Sequence, residues 1–283
     1  MVPTEITLPV TLAVLCAGFL HALWNAMLKS AAGEPLLDLA LIVAGSSAVA
    51  FVLLPFVPVP VREAWPYMAL SALIHFAYYV TLAGAYRRGD LSFAYPLMRG
   101  VAPLIVTVLG VAFLGEHPTG ATLAGIALIS LGIVVIAWFA SGKHTPAAAG
   151  WALANALIIA LYTLVDGAGA RVSGSAAGYV CWLIFLEGLP YLASIYATRG
   201  RASVDYLKRR WRRGIIGGAA SLAAYGIALW AMTQAPVAVV AALREVSVLF
   251  AAAIGAFVLK ESLGWKRMAG AAAVVAGIAA LRL

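Results

Sequence analysis

The sequence predicts an all-α integral membrane protein, with ten transmembrane helices in two inverted five-helix repeats. Three observations lead there. The 283 residues are 64% apolar and only 11% charged, with a mean hydropathy of +0.99. Soluble domains carry roughly 25% charged residues, so lipid must solvate most of this chain. The apolar residues fall into ten runs, each near the roughly 20 residues that cross a bilayer. Finally, Arg99 precedes Glu116 by 17 residues, and Arg244 precedes Glu261 by the same 17, which marks a duplication.

The first five runs cover residues 10–28, 36–56, 65–86, 91–114 and 121–140. The second five cover 149–170, 176–197, 214–233, 235–259 and 265–281. Pro55, Pro58 and Pro60 end the second run, and Gly115 and Pro118 separate the fourth from the fifth. Pro96 and Pro103 lie inside the fourth and Pro190 inside the seventh, where each frees a carbonyl and predicts a kink. Trp65, Trp138, Trp151, Trp211 and Trp265 stand at run ends, as an aromatic belt does. Gly125 and Gly132 in the fifth run, and Gly270 and Gly277 in the tenth, predict close packing within a half or between two subunits of a homodimer. Residues 1–9 contain Glu5 and no basic residue, so the first run is expected to be a retained helix and not a cleaved leader. Cys16 and Cys181 read as two buried apolar thiols.

The duplication extends beyond the two pairs. At a common offset of 145 residues, Met98-Arg99 meets Leu243-Arg244, Gly115-Glu116 meets Lys260-Glu261, and Gly125 meets Gly270. The repeats are expected at residues 1–146 and 147–283. An odd number of helices per unit makes the second copy enter the membrane from the opposite side, an architecture of alternating-access transporters with the solute site at the repeat interface.

The net charge of +8 reports orientation and contact with membrane lipid; it does not imply nucleic acid. Fourteen basic residues fall on one side of the membrane, half of them in residues 198–213. Three fall on the other: Arg62, Arg171 and Arg282. The positive-inside rule puts the fourteen in the cytoplasm of a bacterial inner (plasma) membrane and both termini outside.

Polar residues inside the runs are the candidate solute site. Arg99 and Arg244 are costly in hydrocarbon and must face the bundle or a cavity, where each either grips an anionic group or forms a structural ion pair. Glu245 is a poor partner for its neighbour Arg244 and a possible one for Arg99. Glu187 is central in the seventh run, as a proton relay, an ammonium ligand or a helix-bridging group; Asp166, near a run end, reads as interfacial. His21 and Asn25 share a face of the first helix, and His75 and Tyr79 a face of the third. Tyr95, Tyr162 and Trp182 complete an aromatic lining suited to a small organic solute. Neither His21 nor His75 has ligand-spaced companions, so no metal is expected, and no cofactor motif is present. No nucleophile is matched with a base, so an enzyme is not expected.

The Trp24-Asn25 region, the turn Phe113-Leu114-Gly115-Glu116 and its echo at residues 257–261 resemble the drug/metabolite transporter superfamily, in its EamA-type ten-helix branch. A more distant resemblance is to membrane proteins associated with phosphonate utilisation. The resemblance to the EamA-type branch covers almost the whole chain. It implies a secondary transporter, an exporter or exchanger of a metabolite such as an amino acid, with a coupling proton or an exchanged solute. The two arginines add an anionic or zwitterionic preference, for a carboxylate or phosphonate on a small organic body. A non-transporting solute sensor or scaffold with the same fold is the alternative.

Overall fold

The computed structural model describes residues 6–29, 34–139, 145–257 and 264–281. Its helices are α1 (Leu8–Lys29), α2 (Pro35–Leu53), α3 (Trp65–Tyr86), α4 (Leu91–Leu114), α5 (Gly120–Trp138) and α6 (Pro146–Val172). They continue as α7 (Ala176–Arg199), α8 (Arg201–Arg209), α9 (Trp211–Gln234), α10 (Val237–Arg244), α11 (Ser247–Phe257) and α12 (Trp265–Ala280). Among the described residues, eight helices are long and apolar enough to cross a membrane: α1 to α7 and α9.

One run departs from expectation. The ninth is not one helix; it breaks after Arg244 into α10 and α11, and the chain crosses the break on tight turns from Glu245 to Ala242 and Val246 to Leu243. The fourth run, by contrast, stays one helix despite Pro96 and Pro103. Thr107 there returns its hydroxyl to the carbonyl of Pro103 at 2.8 Å. The tenth run contributes the 16 residues of α12. The basic connector forms the short helix α8, with Ser203 buried and the Tyr206 hydroxyl donating to Asp38 at 2.6 Å.

Local chemistry sets the ends. Thr119, Thr145 and Ser175 each accept a backbone N–H three residues on, at the starts of α5, α6 and α7. Pro35, Pro66 and Pro146 occupy first-turn positions that need no N–H donor. Gly115 ends α4 at φ +63°, left-handed backbone that a β-carbon disfavours, and the Glu116 N–H closes on the Gly110 carbonyl at 3.1 Å.

The halves interlock. α1 packs on α9, α3 on α6, α2 on α7 and α9, α4 on α5 and α6, and α5 on α12. The glycine stripes serve that last contact, inside one chain. A β-carbon on Gly132 would stand 2.5 Å from the Gly270 carbonyl oxygen, and one on Gly125 2.9 Å from that of Gly277. The pairing rises along α5 as it falls along α12, so these helices run antiparallel. Gly45 of α2 lies against the Gly214 carbonyl of α9 in the same manner. Neither cysteine forms a disulfide; Cys181 is buried, while Cys16 is exposed, contrary to expectation, because it lies on the outward face of α1.

Candidate functional site

Arg99 (α4) and Glu245, at the α10–α11 break, meet in the interior. The guanidinium donates from Nε to Oε2 at 2.8 Å, and Nη2 lies 2.7 Å from Oε1, a two-pronged ion pair with both residues buried. This is the architectural alternative for Arg99. Beside it, His21 (α1) and Tyr95 (α4) join through Nε2 and the phenolic oxygen at 3.1 Å. Asn25 donates to the His21 carbonyl at 2.8 Å and so braces α1.

Arg244 is 9% exposed. Its guanidinium lies over the ring of Tyr225 (α9), 5.4 Å from the centroid, a cation–π contact. Among the described residues it has no ion-pair partner.

Tyr225 carries the connection onward, its hydroxyl donating to Asp166 Oδ2 (α6). Tyr179 (α7) donates to Oδ1 at 3.0 Å, and the Ser71 hydroxyl (α3) is within hydrogen-bonding reach of the same carboxylate. Asp166 is thus fully buried, not interfacial, because three hydroxyls replace its water. His75 (α3) stacks on Tyr162 (α6) at 4.3 Å, and its Nδ1 lies 3.0 Å from the Ser71 carbonyl oxygen. Glu187 (α7) brings Oε2 to 3.4 Å from that nitrogen. Tyr79 and Tyr191 stack at 4.3 Å beside them.

The structure therefore gathers Arg99, Arg244, Glu245, His21, Tyr95, Tyr162, His75, Tyr79 and Glu187 in one buried polar interior. Trp182 is turned elsewhere, its ring 6.1 Å from that of Trp65 at the start of α3. Asp166, with the Tyr225 and Tyr179 that donate to it, belongs to this interior as well. Asp166 lies four residues after Tyr162, on the same helix face, which was the available signal.

A second polar centre lies at one end of the bundle. The Glu116 carboxylate accepts the N–H groups of Val237 at 2.6 Å and Ala238 at 3.3 Å, the first turn of α10. It also meets Arg171 at 3.2 Å. Arg171 donates in turn to the carbonyls of Met232 at 2.8 Å and Ala235 at 3.1 Å. Arg171 is thereby an internal clamp and a poor reporter of orientation. The matching acid, Glu261, lies outside the described residues, as do Lys143, Lys260 and Arg282. No group of three or more His, Cys, Asp or Glu that could hold a metal occurs among the described residues.

The model of the EamA-like transporter family matches the chain twice, over residues 8–138 and 146–283. The chain belongs to the EamA-like transporter family. This EamA-like protein is therefore a multi-pass membrane protein of the drug/metabolite transporter superfamily, consistent with a transporter. One solved crystal structure is similar to it in fold, with a TM-score of 0.76 at 20% identity, over 97% of this chain and 98% of the other. No curated protein matches it in sequence.

Proposed function

We propose that the protein is a secondary transporter in the bacterial inner membrane, moving a small organic solute that carries an anionic group. It does so by alternating access between two inverted repeats, residues 1–146 and 147–283. The observation that carries this reading is the unequal fate of the paired arginines. Arg99 is neutralised by Glu245. The first-half position that matches Glu245 is Gly100, which offers Arg244 nothing in return. Among the described residues one buried guanidinium therefore lacks a carboxylate partner, and a solute carboxylate or phosphonate supplies what it needs.

The glycine contacts support the inversion. Gly125 and Gly132 match Gly270 and Gly277 in the repeat, so exchanging the halves turns the Gly125–Gly277 contact into the Gly270–Gly132 contact. Antiparallel α5 and α12 meet the same demand.

The test is a thermal-shift and flux comparison of amino acids, carboxylates and phosphonates against neutral amides and organic cations. Arg244→Gln should weaken anion binding by tenfold or more, on the order of 1.4 kcal/mol, and leave neutral analogues unaffected. A response to organic cations alone would end the anion reading. Binding without flux in proteoliposomes, under several imposed gradients, would make the protein a solute sensor.

A further inference from the structure

We infer that Glu187, facing His75, is a proton-binding site in the interior, and that the solute is moved in exchange or in company with that proton. The inference deepens the transport reading and rests on it.

The two buried carboxylates of this cluster are not equivalent. Asp166 is surrounded by the hydroxyls of Tyr179, Tyr225 and Ser71. Glu187 Oε2 is buried and accepts no hydrogen bond. His75 Nδ1 lies 3.4 Å from that oxygen, and the same nitrogen is 3.0 Å from the Ser71 carbonyl oxygen and 3.1 Å from the Ser71 hydroxyl. A carboxylate left bare beside a second carboxylate is expensive, and one proton on Oε2 removes that cost.

The groups facing Glu187 are consistent with this. They are His75 and Tyr79 on α3, Asp166 and Tyr162 on α6, Tyr225 on α9, and Tyr179 and Tyr191 on its own helix. Among the described residues His75 is the base that faces Glu187, positively charged only when doubly protonated. Tyr225 links this site to the anion site, with its ring under Arg244 and its hydroxyl on Asp166. A change in charge at either site is felt at the other through that side chain.

The test is infrared difference spectroscopy of the purified protein between acid and alkaline buffer, with isotopically labelled glutamate. A protonated-carboxyl band should appear, shift with the label, vanish at alkaline pH and be absent from Glu187→Gln. Should that variant fold poorly, His75→Gln should move the pH at which the band vanishes. The same titrating band in Glu187→Gln, or none in the native protein, overturns the proposal. In vesicles loaded with a pH dye and challenged with the carboxylates and phosphonates named above, Glu187→Gln should lose solute-driven proton movement. Undiminished proton movement overturns coupling. Failure of the Arg244 reading would leave the infrared result unchanged, so the two ideas fail separately.

Discussion

Gly132 and Gly270 touch backbone to backbone: a β-carbon on either would stand 2.5 or 2.6 Å from the other's carbonyl oxygen. The two halves of the chain approach closely there, with the side chains of Val274 and Ile136 packed beside the glycines.

Substitution at this contact should loosen α5 from α12. Gly132→Val and Gly270→Val are each expected to cost about 1–3 kcal/mol, read as a lower apparent unfolding midpoint in detergent. Gly150→Ala, where a β-carbon meets nothing within 4 Å, should be neutral or slightly stabilising. Equal midpoints for all three would show that the stripe is not under compression.

Arg99 and Glu245 should behave as a unit. Arg99→Gln leaves a buried carboxylate alone and is expected to lower stability by about 3–5 kcal/mol. Adding Glu245→Gln should restore much of that loss, because neither charge then remains. A double variant as unstable as the sum of the singles would argue against the pairing.

Glu116→Gln should loosen α10 more than any neighbouring change. It removes the charge that meets Arg171 and holds the first N–H groups of α10. Hydrogen exchange at Val237 and Ala238 should speed up, while exchange in α6 beyond Arg171 stays as before. Unaltered protection at both amides would show that the cap is dispensable.

Cysteines at positions 116 and 261 should be labelled from opposite sides of the membrane, as inversion requires. Position 261 should be cytoplasmic, with a phosphatase fusion after Leu283 active outside. Labelling of both from one side would exclude the inverted arrangement.

Much of this molecule is visible in its sequence because lipid imposes length and hydrophobicity on every crossing segment. The break at Glu245 is not visible. Residues 237–254 contain no proline or glycine, and the interruption coincides with a charged pair that the interior receives. α4 runs unbroken over Leu91–Leu114, the span of its apolar run, with Pro96 and Pro103 inside it. Position along a run also misleads: Asp166 is near an end yet buried, because three partners converge on it from other helices. Trp182 lies on a run with site residues but points to Trp65, a direction that helical spacing alone does not determine.

The shortness of α10 has an electrical consequence. Its 8 residues run about 12 Å from the end that Glu116 caps, so the Arg244 guanidinium stands well inside a hydrocarbon layer of about 30 Å. A charge at that depth lies within the transmembrane voltage drop, where a full crossing is worth about 2.3 kcal/mol per 100 mV. Any rearrangement that changes the fraction of the drop above Arg244 moves charge while the site is empty. A bound monoanion cancels that movement. Transient currents should therefore accompany reorientation of the unloaded protein and shrink when the site is filled.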